Sequence, residues 1–146
     1  MKTVAELEQQ LLAAFPRREA TEIAKHQCEE CEGLRQQLSG TVWTEVPGDF
    51  VEAYDGSLPL LTHDAYLAFL PAWLRQAIRN PKGAAAGMLP INLSTKPNTR
   101  GFSRAQAAVI VETVTFITHN NGWGDDDPGN IEDLEQVRRI WNNVAV

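Results

Sequence analysis

Residues 65–78 carry Ala65, Tyr66, Phe69, Leu70, Trp73, Leu74, Ala77 and Ile78, apolar side chains that recur as adjacent pairs every four residues. At 3.6 residues per turn this spacing lays them along one broad helical stripe. A stripe that wide has to be covered along its length, so the rest of the chain must supply further amphipathic elements to bury it. Pro71 falls inside the stripe. Because proline brings no amide hydrogen to the ladder, the segment is expected to be either one kinked helix or two helices meeting at Leu70.

Other segments supply the cover. Thr3 precedes the apolar series Val4, Leu7, Leu11 and Phe15, with Glu6 three residues after it, the pattern of a capping box at the start of a helix. A second helix is expected to carry Ile23 and Ala24, run through His26, Cys28 and Cys31, and continue over Leu34 and Leu38 to a stop at Ser39-Gly40. Between Thr41 and Gly56 the period is lost, and Pro47-Gly48 and Asp55-Gly56 read as turns. Residues Asn80 to Gly101 show little period and are expected to form one long ordered loop packed at Met88, Leu89, Ile91 and Leu93. Ser103 with Gln106 makes a second capping box ahead of Ala107, Ile110, Val111, Val114 and Ile117, read as helix although many of its residues are β-branched. Ile131, Leu134, Val137, Ile140, Trp141 and Val144 mark a last helix. The fold class that follows is mainly α: a single compact domain, residues 1–146, of about five to six helices with one long ordered loop.

Size and charge narrow the functional classes. At 146 residues a single core can form without staples, since folding removes roughly 68–70% of the unfolded surface from water. Thirteen Lys and Arg against nineteen Asp and Glu give a net charge of -6, which opposes approach to a nucleic-acid backbone and favours a protein partner with a basic surface. Met1 to Glu8 has no long apolar run, so neither a signal peptide nor a membrane anchor is expected there. With only two cysteines, three residues apart, a reducing, cytoplasmic setting is expected.

The sharpest local pattern is His26-Gln27-Cys28-Glu29-Glu30-Cys31. His26, Cys28 and Cys31 are the candidate metal ligands, and zinc is the cofactor such soft donors would accept. On a regular helix the two thiols share a face while His26 points elsewhere, so all three converge only where the helix breaks. The competing reading is a pair of core thiols. A thioredoxin-like activity is not expected, because Glu29, Glu30 and Glu32 oppose thiolate formation and no βαβ pattern surrounds the pair. The acidic run Asp125-Asp126-Asp127 does not fit an EF-hand loop, and Asp127 before Pro128, or Asn130, reads better as a helix cap. No nucleophile elbow, H-E-x-x-H motif or phosphate-binding glycine loop is present, and no catalytic residue is assigned. Trp123, set between glycines in a polar turn, is expected to be partly exposed, either as a partner contact or as a lid on the core. Together with Asp125 and Asp126 it forms the candidate partner-binding group.

The His26-x-Cys28-x-Glu30-Cys31 motif, Trp43, and the block Leu58-Pro59-Leu60-Leu61-Thr62 leading to Ala65-Tyr66-x-x-Phe69-Leu70-Pro71-Ala72-Trp73-Leu74 together resemble an uncharacterised family of small bacterial proteins. Phe102-Ser103-x-x-Gln106 fits the same pattern. The resemblance implies that the thiol pair and Pro71 belong to the family's pattern, and it implies no activity. The function expected from the sequence is a non-enzymatic protein-binding protein of the bacterial cytosol, of the immunity or antitoxin type. The alternative is a small zinc-binding metalloprotein using Cys28 and Cys31.

Overall fold

The computed structural model describes residues 1–95 and 98–144. Among them are seven α-helices: α1 Val4–Ala14, α2 Glu29–Leu38, α3 Gly48–Ala53, α4 His63–Arg79, α5 Ala84–Ser94, α6 Arg104–Asn120 and α7 Pro128–Trp141. There is no strand among the described residues beyond one isolated bridge between Ala24 and Leu61. No helix there is long and apolar enough to cross a membrane.

The stripe at 65–78 forms a single helix, α4, with Pro71 inside it. It packs against α1, α3, α5 and α6 and against the 3-10 turn Trp43–Glu45, while α7 closes over α5 and α6. Both capping boxes form, at Thr3 with Glu6 and at Ser103 with Gln106. The β-branched run after Ser103 is helical throughout. Three of its threonine hydroxyls donate back within the helix, Thr113 to the Val109 carbonyl at 2.7 Å, Thr115 to that of Val111 at 2.9 Å and Thr118 to that of Thr115 at 3.0 Å, which leaves those hydroxyls satisfied.

Two expectations need correction. The stretch expected to be one long loop contains α5, over Ala84–Ser94, and the loop that remains runs from Thr95 to Ser103, with positions 96 and 97 outside the described residues. Helix α5 sits among α3, α4, α6 and α7, so it is apolar on several sides and shows no single stripe to read. Its N-cap is Gly83, which offers no side chain. The anion comes instead from Glu52 on α3, whose carboxylate accepts the Ala85 N–H at 3.1 Å and is held by Gln76 at 2.7 Å and Asn80 at 3.2 Å.

The second correction concerns Ile23 and Ala24, which are not helical. Lys25 N–H donates to the Leu60 carbonyl and Thr62 N–H to that of Ile23, each at 3.0 Å, so residues 23–25 lie extended beside the entry to α4. Asp64 holds the preceding residues: its carboxylate accepts the Thr21 N–H at 2.8 Å and pairs with Arg18 at 2.9 Å. Helix α2 therefore begins only at Glu29.

The core is one cluster in which the largest side chains are Trp43, Trp73 and Trp141. Each buried indole N–H donates to a backbone carbonyl, those of Phe15, Tyr54 and Leu93 respectively, at 2.9 to 3.3 Å. Their polar ends therefore carry little desolvation penalty. Arg75 leaves α4 to cap the 3-10 turn: its guanidinium donates to the carbonyls of Thr44 at 3.1 Å, Trp43 at 3.4 Å and Val46 at 3.0 Å, and lies 5.4 Å from the Trp43 ring centre.

Arg75→Ala should therefore cost about 2–4 kcal/mol in urea unfolding, because three carbonyls lose a charged donor. Arg75→Lys is expected to recover only part of that, since a single ammonium cannot span the same fork. A pH dependence follows from Asp64. The Thr21 N–H, then the charge of Arg18, hold its carboxyl below the ordinary value of 3.8 against the opposing effect of burial. A depressed folded-state value adds stability above the ordinary aspartate range and loses it as pH falls through the lower value. The melting midpoint of Asp64→Asn should accordingly lie below that of the wild type at neutral pH, and the gap should close in acid.

Candidate functional site

Cys28 is the N-cap of α2, and its Sγ accepts the Cys31 N–H at 3.3 Å. Cys31, one turn on, is fully buried, whereas Cys28 is exposed. The two sulfurs are 2.9 Å apart. Because the helix starts at Glu29, His26 stays in the irregular segment before it, with its carbonyl held by Arg35 and its ring in solvent. The structure thus brings Cys28 and Cys31 together and leaves His26 apart. Among the described residues, no three His, Cys, Asp or Glu side chains converge as they would around a metal ion. Two thiols are half of the four donors that a structural zinc site takes.

Of the three glutamates that weigh against a thiolate in the sequence, two have partners of their own. Glu30 accepts the Ser57 hydroxyl at 2.5 Å, and Glu32 pairs with Arg35 at 2.5 Å. The Cys31 thiol, and then the Cys31 N–H, stabilise a Cys28 thiolate and lower its pKa, while burial and Glu30 pull the other way. The thiol of Cys31 is shifted upward, first by its hydrogen bond to Cys28 and then by burial. The two thiols are therefore shifted apart, the outer sulfur being the more readily ionised of the two.

The second candidate group lies between α6 and α7. Trp123 is 75% exposed, the most open large apolar side chain among the described residues. It is held out by a fixed loop. Gly122 and Gly124 have φ of 89° and 93°, a region that side chains other than glycine rarely enter. Asn121 Oδ1 accepts the Trp123 N–H at 3.0 Å. Buried Asn130 closes the loop from behind, donating to the carbonyls of Gly124 at 2.9 Å and Thr118 at 3.1 Å and exchanging bonds with the Asn121 amide at 2.7 and 3.2 Å. Asp127 caps α7 by accepting the Asn130 N–H at 3.0 Å, ahead of Pro128. Asp125 and Asp126 are exposed beside Trp123, and Asp125 lies 3.5 Å from His119. The aspartates are thus divided between a structural cap and an exposed acidic rim.

Sequence reading singled out Trp123, Asp125 and Asp126 but missed Asn121 as an anchor, and it gave Asn130 only a capping role. The one local signal was an Asn-Asn-Gly-Trp-Gly run rich in residues that tolerate unusual backbone angles. Two surface recesses, of about 220 and 380 Å³, lie along α1 and include neither Trp123 nor the thiols. Trp123 and Cys28 are reached from the open surface, whereas Cys31 lies beneath it. Compared with known proteins, the chain matches no family model, and no curated protein or solved structure shows significant similarity to it. No residue role is carried over from a relative.

If Asn130 sets the loop, Asn130→Ala should cost about 2–3 kcal/mol, because the Gly124 and Thr118 carbonyls and the Asn121 amide lose their partner. Amide exchange at residues 121–127 should accelerate beyond that seen in an equally destabilised core variant. Equal acceleration in both would show that the loop is not pinned there.

Proposed function

We propose that the chain is a protein-binding domain of the bacterial cytosol that engages a basic partner surface through the Trp123 loop, in the manner of an immunity or antitoxin-type protein. The observation that carries this reading is a tryptophan 75% exposed on a loop whose backbone is already fixed. Tryptophan is among the side chains that most often anchor protein interfaces, and here it stands ready-positioned in solvent. Covering it with a partner would remove on the order of 150 Å² from solvent, a gross gain of about 4 kcal/mol before the costs of association. Fixing the loop beforehand reduces the ordering that binding requires.

Asp125, Asp126 and the net charge of -6 would steer a basic surface toward the loop and make association salt-dependent. No observation favours zinc as a second reading. That role would need two more ligands than Cys28 and Cys31 supply.

The test is to identify a protein captured from native lysate and then measure its binding to purified variants. Trp123→Ala should weaken that binding by about 30-fold or more while changing stability by no more than about 0.5 kcal/mol. The double variant Asp125→Asn, Asp126→Asn should slow association and flatten its dependence on salt. A partner bound equally well by wild type and Trp123→Ala would overturn the proposal.

A further inference from the structure

We infer that Cys28 and Cys31 form a redox-active dithiol that exchanges with disulfides, with Cys28 as the attacking sulfur and Cys31 as the resolving one. The geometry supplies each requirement. The sulfurs are 2.9 Å apart, so a modest side-chain rotation brings them to the disulfide bond length of about 2.05 Å. Exposure is divided between them: an incoming disulfide can reach Cys28 and cannot reach Cys31. Cys28 also stands where helix α2 points its free N–H groups, receiving that of Cys31 at 3.3 Å, and such a position stabilises negative charge on sulfur.

The surrounding contacts hold this arrangement in place. Arg35 reaches back from α2 to the carbonyls of Ala24 and His26, which fixes the segment entering the helix. The same guanidinium pairs with Glu32, and the Ser57 hydroxyl engages Glu30. The hydrogen bonds that lower the Cys28 pKa thus outweigh the nearest carboxylate.

The exchange balances in two steps. The Cys28 thiolate attacks one sulfur of R–S–S–R, forming a mixed disulfide and releasing RS⁻, which takes up the Cys31 proton. The Cys31 thiolate then attacks Cys28 Sγ, closing the Cys28–Cys31 disulfide and expelling the second R–S⁻. Two electrons pass from the protein dithiol to the disulfide, which leaves as two thiols. Any disulfide able to approach Cys28 from solvent suffices chemically, so a small-molecule disulfide and a peptide disulfide are separate arms of the test.

Wild-type protein equilibrated across ratios of reduced to oxidised glutathione, quenched with iodoacetamide and weighed intact, should lose both alkylation sites together in one two-electron transition. Before oxidation, Cys28 should alkylate at least about tenfold faster than Cys31. Cys31→Ala should accumulate a stable glutathione adduct on Cys28, and Cys28→Ser should form neither adduct nor internal disulfide, with circular dichroism confirming that both variants retain their helices. In the second arm, reduced wild type should cleave a disulfide-linked peptide faster than Cys28→Ser does. Reaction in either arm supports the assignment and names the source of the disulfide. Two alkylatable thiols persisting in fully oxidised glutathione, a result that needs no variant, would overturn it.

Discussion

The molecule depends on a single helix being hidden on nearly all sides. Ten of the 17 residues of α4 are buried, and its neighbours α1, α3, α5 and α6 are arranged by the need to cover them. A helix so enclosed has little room for polar groups, and two of those present tie it to its neighbours. Arg75 leaves the stripe to hold the 3-10 turn over Trp43, and Gln76 reaches Glu52. Pro71 is tolerated because the missing amide costs one helical hydrogen bond while its ring adds apolar volume to the core. The start of α4 anchors a second set of contacts: Thr62 and Asp64 bind residues 21–23, which in turn fix where α2 can begin.

Features of the fold that rest on neighbours in sequence were legible, and features that rest on distant partners were not. The capping boxes at Thr3 and Ser103 and the stripe of α4 are local patterns, and they formed as read. Helix α5 hides because its capping carboxylate comes from Glu52, 33 residues before Ala85, and because burial on several sides erases its period. Ile23 and Ala24 suit a helix by composition. The Ile23 carbonyl is nevertheless taken by the Thr62 N–H and that of Ala24 by Arg35, while the adjacent Lys25 N–H donates to Leu60, a tertiary pairing that overrides weak local preference.

The candidate groups divide in the same way. Exposure of Trp123 was readable from its flanking glycines, since a tryptophan in a tight polar turn has no apolar face to join. The grip of Asn130 on Gly124 and Thr118 was not readable, because an asparagine near a helix start looks like a cap whether or not it faces inward. At the thiols, the nearby glutamates oppose a thiolate as their charge implies, and Glu30 does raise the Cys28 pKa, but the hydrogen bonds from the Cys31 thiol and N–H lower it further. Thiolate stability is decided chiefly by the groups that meet the sulfur, the Cys31 thiol and then its amide, and that juxtaposition exists only in three dimensions.

The cap of α2 differs in kind from the others. Thr3, Thr62, Ser103 and Asp127 each cap with oxygen, whereas Cys28 caps with sulfur. A neutral thiol is a weak acceptor, so in that state α2 begins with a poor cap. Ionisation turns the same atom into a charged acceptor at the positive end of the helix, improving the cap and lowering the Cys28 pKa together. The sign follows from the direction of that shift: the stabilisation is complete at pH above the ordinary cysteine range and is lost as pH falls through the lower folded-state value. Forming a disulfide would remove the charge and with it this contribution, so capping favours the reduced pair and makes its oxidised form the stronger oxidant. The sulfur that opens the helix and the sulfur that would perform exchange are one atom, which ties the integrity of α2 to the redox state of the pair.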